Sequence, residues 1–409
     1  MKAERPWPAF TVTPKAEAAL LRGHPWVYDT EILSAPEAME NGGIADVQSK
    51  KGAYLGTALY SEHSKIRLRL ISRNANDRFN SAFWERKLRW AWEYRKTVLA
   101  PEDLDACRVI FGEADAFPGL TVDKFHDLLI VQILSWGMDR MRDVILPLLI
   151  RVLREDRQAV RGVYLRNDAA LRDKEGLPRE KGWYTLPGET PPPSPVTEIT
   201  ENGIVYRVDV ENGQKTGFFL DQKFNRRSVA RLAAGKTVLD CFTHTGSFAL
   251  NAARGGAARV TAVDASEAAV EMARANAERN NLSDRVLCVR ADVFELLPRL
   301  EREGADYDFI ILDPPAFTKS RRTADSAMAG YKEINLRAMR LLPRGGYLAT
   351  CSCSHFAAED RFVSMLRAAA FDAHVQLRQI EANRQSPDHP ILWGVEETEY
   401  LKFYLFQVV

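Results

Sequence analysis

Long apolar runs are missing from this sequence. No stretch approaches the roughly 18 to 20 uninterrupted apolar residues that a membrane helix needs, and the N-terminus, with Glu4, Pro6, Trp7 and Pro8, lacks the apolar core of a signal peptide. Membrane roles are therefore not expected, and a cytoplasmic location is. Cysteine is scarce as well. The five residues Cys107, Cys241, Cys288, Cys351 and Cys353 are an odd number without paired Cys-x-x-Cys motifs, which argues for reduced thiols and against a disulfide framework or a metal site. Charge of either sign is not in excess, because 56 Lys and Arg stand against 55 Asp and Glu, a net of +1. That weighs against wholesale binding of nucleic acid but not against local basic patches.

What is present reads as a multidomain globular chain. At 409 residues, 46% hydrophobic and 27% charged, the composition is that of two or three domains. Pro191, Pro192, Pro193 and Pro195 crowd the segment 187–196 and favour an extended connector. Before it, residues 1–72 read as a small β-barrel: strands at Phe10–Val12, Gly43–Val47, Tyr54–Tyr60 and Ile66–Ile71, with a short helix at Ala16–Leu21. Residues 73–186 read as a middle α+β domain, with helices at Ser81–Leu99 and Met141–Leu153 and strands between and after them. Basic residues gather on either side of this boundary, since ten of the 16 Lys and Arg among residues 1–100 lie between Lys65 and Lys96.

Residues 197–409 form the third part. A hairpin of Gly203–Val210 with Gly217–Leu220 is expected around Glu211, Asn212 and Gly213, followed by alternating strands and helices to a last strand, Glu399–Val408, at the edge. Alternation at this spacing implies an α/β fold, a mostly parallel sheet with helices on both faces.

Carboxylates recur where these strands end. Asp240 follows Val238 and Leu239, Asp264 closes Val260–Val263, Asp292 follows Val286–Val289, and Asp313 closes the run before Pro314 and Pro315. In such a sheet, ligands lie outside the carboxyl ends of the strands, so these residues frame a nucleotide-type pocket. The loop Cys241–Phe248, which includes Phe242 and Thr245, contains one glycine, Gly246, where a dinucleotide fold carries Gly-x-Gly-x-x-Gly. Close approach of a pyrophosphate is therefore disfavoured. Asp264 is placed to meet ribose hydroxyls and Asp292 an adenine amino group. S-adenosylmethionine has both features, no phosphate, and a cationic sulfonium that suits a carboxylate rim.

Cys351, Ser352, Cys353 and Ser354 close the strand that starts near Tyr347. Alternation alone puts both cysteines on one face, but Cys353 lies further toward the carboxyl end and Cys351 deeper. Cys353 is the candidate nucleophile. Cytosine C5 is too weakly nucleophilic to take a methyl group directly, whereas a thiolate adding at C6 makes C5 enamine-like. Asp313 is the candidate partner for the base near N3.

These residues resemble the bacterial 23S rRNA methyltransferases that carry an N-terminal PUA domain and make 5-methylcytosine. The resemblance covers nearly the whole chain: Gly23–Tyr28 looks like the PUA signature, Phe117–Asp123 the middle domain, and Thr216–Gln222 with Asn225 and Arg226 the entry to the methyltransferase core. Asp313–Phe317, Cys351–Ser354 and Asp388–Pro390 complete it. It implies a class I, Rossmann-like methyltransferase domain with S-adenosylmethionine as cofactor, Gln222 approaching that cofactor, Cys353 as nucleophile and ribosomal RNA as partner. Cys241–His244 departs from the family's first motif. A related branch with a similar Asp-Pro-Pro-x-Phe motif methylates guanine N7 without a thiol, so a ring-nitrogen methyltransferase stays open, as do a non-catalytic assembly factor and a homodimer. A target cytosine must leave its stack to react. Arg67, Arg69, Arg86, Arg89 and Arg95, with Lys319, Arg321 and Arg322, are the candidate RNA contacts, whereas Trp84 and Trp92 read as core.

Overall fold

A computed structural model describes residues 5–317, 324–354 and 357–409. They fall into two compact units. The first comprises Met1–Ile199, Arg207–Leu220 and Pro387–Thr398, the second Thr200–Tyr206, Asp221–Ser386 and Glu399–Val409.

In the first unit, six short strands form one sheet in the order Trp26–Tyr28, Ile66–Ser72, Tyr54–Tyr60, Ile44–Gln48, Ala9–Val12 and Ile32–Ser34. Helix Pro14–Leu21 begins with proline and is capped by Thr13, whose hydroxyl accepts the Ala16 N–H. Its Ala16 and Leu20 pack with Phe10, Val12, Val27 and Leu68 into one apolar core. A second sheet runs Glu180–Tyr184, Gly162–Asn167, Leu128–Ile133, Leu120–Phe125 and Ala106–Phe111, with helices Ser81–Val98 and Trp136–Glu155. Trp84 and Trp92 are core residues, as their helical spacing implies.

The expected hairpin is placed differently. Val196–Glu201 pairs with Ile204–Asp209, and the turn between them is Asn202 and Gly203, both at positive φ, as a two-residue hairpin turn requires. Gly217–Leu220 is not a strand. The Asp209 carboxylate accepts the N–H groups of Glu211 and Asn212 at 3.0 Å, which curls the chain and ends the ladder there.

The second unit is built on seven strands: β1 (Thr237–Cys241), β2 (Arg259–Asp264), β3 (Val286–Arg290), β4 (Phe309–Leu312), β5 (Tyr347–Ser352), β6 (Leu377–Asn383) and β7 (Lys402–Val408). Their order is β3-β2-β1-β4-β5-β7-β6, parallel except for β7, which is antiparallel to both neighbours. The helices are α1 (Lys223–Leu232), α2 (Ser247–Arg254), α3 (Glu267–Arg279), α4 (Val293–Glu303), α5 (Ala324–Leu341) and α6 (Glu359–Asp372). β4 is fully buried and uniformly apolar, as a central parallel strand must be. The last strand starts later than expected and lies inside the sheet; β6 takes the edge. β6 reads Leu-Arg-Gln-Ile-Glu-Ala-Asn, largely solvent-facing, so hydrophobicity does not announce it. After β3 the chain returns to the other side of β1 to enter β4. The switch point thus lies between β1 and β4.

Candidate active site

Val263 and Leu312 both pair with Cys241, so Asp264 and Asp313 emerge at one level on either side of Phe242. From Phe242 to Gly246 the backbone turns sharply, with φ of 66° at Phe242, 51° at His244 and 82° at Gly246. Non-glycine residues hold such angles only where their surroundings impose them. Carboxylates do so here. Asp240 Oδ2 accepts the Thr243 hydroxyl at 2.5 Å and the Ala249 N–H, in the first turn of α2, at 2.9 Å. Asp264 accepts the His244 N–H with one oxygen and the Ser266 N–H with the other, both at 2.9 Å. At Gly246 a Cβ would stand 3.1 Å from that of Ala273 on α3, so only glycine lets helix and loop approach.

The loop also holds unspent polar atoms. Among the described residues, Thr245 Oγ1 and Asp240 Oδ1 are buried without a hydrogen-bond partner. Burial pushes the Asp240 carboxyl up to about 7, against the opposing bonds from Thr243 and Ala249. His244 is pushed down from the usual imidazole range, again by burial. Asp240 therefore shapes the loop from beneath; its side chain is fully enclosed. Asp292 is exposed and caps α4 by accepting the Phe294 N–H at 2.8 Å.

A second cluster joins α1 to the end of β4. Gln222 Nε2 donates to Asp313 Oδ1 at 3.0 Å, while Gln222 Oε1 accepts from Asn225 at 2.6 Å. Asp221, buried beside them, accepts the Tyr400 hydroxyl at 2.6 Å. Arg226 and Glu201 form a buried ion pair at 2.7 Å that anchors α1. Asp313 is raised to about 6, by burial first and then by the charge of Asp221, with Arg226 and the Gln222 bond opposing. Phe317 holds the far end of the Asp-Pro-Pro segment, its ring 4.7 Å from Tyr331, 5.7 Å from Phe294 and 6.4 Å from Phe242.

β5 carries the thiols. Leu312 pairs with Thr350, so Asp313 follows the strand beside Cys351. The strand ends at Ser352, whose hydroxyl donates to that of Tyr331 at 3.1 Å. Cys351 is fully buried, and burial lifts its thiol well above the usual range. Cys353 lies past the strand end and is partly exposed. From the sequence, Asp221 and Asn225 have a place at the entry to the core but no role, and Tyr331 and Lys402 are not singled out. Lys402 had a readable signal, as the one charged residue in the final strand.

In the first unit, two expected RNA contacts are corrected. Arg95 is fully buried on Asp115 at 2.6 and 2.7 Å, and Arg69 is buried on Glu175 at 2.7 Å. Arg67 donates to the Ser61 carbonyl, and Arg89 is paired with Glu85 and Glu155. Lys319, Arg321 and Arg322 lie outside the described residues. A pocket of about 710 Å³ in this unit is lined by Arg73, Asn74, Asp77, Arg86, Lys87 and Trp90, among others. Arg86 pairs with Asp77 and sits 5.4 Å from the ring of Trp90, which is 60% exposed. Burial pushes Lys87 down to about 8 and Arg73 below its usual value. Among the described residues neither has a carboxylate within ion-pair reach. Asp388 and His389 also belong to this unit, where Asp388 accepts the Arg108 N–H at 2.8 Å.

Comparison with known proteins agrees with this architecture. The profile of the S-adenosylmethionine-dependent methyltransferase family matches residues 185–406, more than half of the chain, and that of the PUA-like domain residues 10–73. A protein of Erwinia tasmaniensis named ribosomal RNA large subunit methyltransferase I is 38% identical over 394 residues, covering 96% of this chain and 97% of its own. The protein of the same name from Escherichia coli O139:H28 is 36% identical with the same coverage. Among solved structures, a SAM-dependent methyltransferase from Streptococcus mutans superposes with a TM-score of 0.80 over 98% of this chain and 99% of its own, at 24% identity, and so shares the fold. Another with the same figures is a methyltransferase complexed with SAH.

Proposed function

The chain belongs to the S-adenosylmethionine-dependent methyltransferases and to the family of ribosomal RNA large subunit methyltransferase I, and we propose that it makes 5-methylcytosine in 23S rRNA through an adduct on Cys353. One observation carries this reading: a partly exposed thiol at the end of β5, next to the strand whose end presents Asp313. The division into residues 1–72, 73–186, a linker at 187–196 and 197–409, and a cytoplasmic location, belong to the same reading; no helix among the described residues is long and apolar enough to cross a membrane.

The loop suits the cofactor. Residues 240–248 carry a carboxylate and no lysine or arginine, which fits a cationic sulfonium and not a phosphate. The Thr245 hydroxyl, buried and without a partner among the described residues, offers a hydrogen bond there. Phe242, Gly246, Asp264, Asp292 and Gln222 complete the proposed set around Thr245, with Asp240 holding the loop. S-adenosylmethionine, when bound, supplies the electrophilic methyl group that C5 takes up.

The protein's own groups do the rest. The Cys353 thiolate adds to C6 of the flipped cytosine, and the C5=C6 electrons move into the ring. A carboxyl raised to about 6 can be protonated near neutral pH, so Asp313 can donate to N3 as negative charge develops there. Gln222 fixes its orientation. Once the C5 proton leaves to water, the double bond re-forms and the C6–S bond breaks, returning the thiolate, and N3 gives its proton back to Asp313.

The RNA grip belongs to the first unit. We propose that the pocket of Arg73, Arg86, Lys87 and Trp90 takes a single-stranded nucleotide, with the base on the exposed indole and phosphate on Arg73 and Lys87. Nucleoside mass spectrometry of unmodified large-subunit rRNA, after incubation with S-adenosylmethionine and wild type or Cys353→Ala, tests the reaction. 5-Methylcytosine from wild type alone is expected. A methylated guanine from both proteins would replace this reading with the thiol-free one.

A further inference from the structure

β7 is apolar except at Lys402 and Gln407, and every residue of it but Gln407 is buried. Leu401, Phe403 and Leu405 surround Lys402, which is itself only 5% exposed. A lysine removed from water normally brings a carboxylate with it, because an unpaired buried charge costs several kcal/mol. Among the described residues Lys402 has no such partner. The acids of its surroundings, Glu359 and Glu399, are both engaged by Arg384, and Glu359 also accepts the Tyr404 hydroxyl at 2.5 Å. The ammonium donates instead to two backbone carbonyls, of Ser354 at 2.9 Å and of Tyr400 at 3.2 Å.

Both ends of the thiol-bearing segment meet this lysine. Lys402 pairs across the ladder with Ser352, the residue before Cys353, and bonds the carbonyl of Ser354, the residue after it. Among the charged groups that act on Lys402, which are Cys353, Arg384, Glu359 and Glu399, Cys353 has the largest effect and favours the ammonium. Burial alone works the other way and brings Lys402 down to about 8.

We propose that Lys402 is the standing cation that sustains Cys353 as a thiolate, so that the protein carries a thiolate–ammonium pair before RNA arrives. This rests on the reading of Cys353 as nucleophile. The thiol proton leaves to water, and Lys402 neither gives nor takes one. The thiolate's electron pair enters the bond to C6 and returns to sulfur on elimination, when the same ammonium receives it. Lys402 is thus a positioning residue that acts through Cys353. The glutamates answer to Arg384, so the lysine's charge is left for the sulfur.

The test is the pH profile of Cys353 alkylation by iodoacetamide, read peptide by peptide in full-length protein, with S-adenosylhomocysteine binding as the control for folding. Lys402→Met is expected to move the midpoint upward by about one pH unit and to slow alkylation about tenfold below it, whereas Lys402→Arg keeps the wild-type midpoint. An unmoved midpoint in Lys402→Met with intact S-adenosylhomocysteine binding overturns the proposal. If that variant loses the ligand, the wild type decides, because a coupled pair titrates in two steps and a single-step profile overturns it equally. A shifted midpoint together with 5-methylcytosine still formed by Cys353→Ala would keep the pair and remove the nucleophile reading.

Discussion

The strand-end site of the second unit and the open pocket of the first treat charge in opposite ways. Around β1 and β4 the protein encloses carboxylates: Asp240 and Asp313 are pushed up to about 7 and about 6 by burial. In the pocket of the first unit it partly encloses cations: Lys87 is pushed down to about 8, and Arg73 in the same direction, again by burial. In each place burial disfavours the charge that is there. At the acidic site this keeps Asp313 available as an acid in the proposed reaction, whereas the basic pocket is, as proposed, half of an ion pair with RNA phosphate. Lys402 is a third arrangement, a buried cation whose proposed counter-charge is a thiolate within the protein.

The sharpest way to break this comparison is to remove the function of the raised carboxyl while keeping its shape. Asp313→Asn should lower kcat for 5-methylcytosine formation by about 10²- to 10⁴-fold, with S-adenosylhomocysteine affinity changed only a few-fold; single-turnover kinetics and calorimetry separate the two. A kcat within threefold of wild type would remove Asp313 from the chemistry.

The same burial predicts how stability depends on pH. Because the folded forms of Asp240 and Asp313 ionise later than the unfolded chain, their contribution is most favourable below about pH 4 and is lost as pH rises through about 6 to 7, by on the order of 2–4 kcal/mol for Asp240. Hydrogen exchange of the β1 amides across that range should show the decline, and Asp240→Asn should flatten it. Next in size is Gly246→Ala, which combines a left-handed φ with the 3.1 Å approach to Ala273. A loss of about 1–3 kcal/mol in S-adenosylhomocysteine binding or unfolding is expected.

Predictions for the basic pocket are smaller and should leave the acidic site untouched. Arg73→Ala with Lys87→Ala should weaken binding of an rRNA fragment about tenfold and make the plot of log K against log salt less steep by about 1.4, the release of about two counterions from single-stranded RNA. Cofactor affinity should not change. Smallest of all is Arg89→Ala, whose exposed pairs with Glu85 and Glu155 should contribute within about 0.5 kcal/mol to folding and nothing to RNA binding. A large effect at Arg89 would move the RNA contact away from the pocket.

Most of the parallel sheet was legible. Val238, Val260, Val286 and Phe309 open or lie within short apolar runs whose lengths suit strands, and Ser266 caps its helix as the local pattern implies, accepting the Ala269 N–H. β6 was not legible, because an edge strand facing solvent has no apolar stripe. Nor was the true hairpin, since the turn signal at Asn202–Gly203 competed with a stronger-looking Glu211–Asn212–Gly213 that Asp209 had already claimed. Arg95 looked like its basic neighbours. Its partners are Asp115, 20 residues away, and the Asp388 carbonyl, 293 residues away.

Most of the strands and helices, the glycine before α2, and the carboxylates and pair of cysteines at the strand ends of one sheet can be read from the sequence. These are local properties, set by side-chain period, turn chemistry and backbone sterics. Tertiary packing alone spends particular arginines on internal ion pairs, encloses the Asp240 side chain beneath its loop, puts β7 inside the sheet and brings Lys402 to the Cys353 segment. Burial and charge pairing depend on residues brought together from tens to hundreds of positions apart, and no local pattern records them.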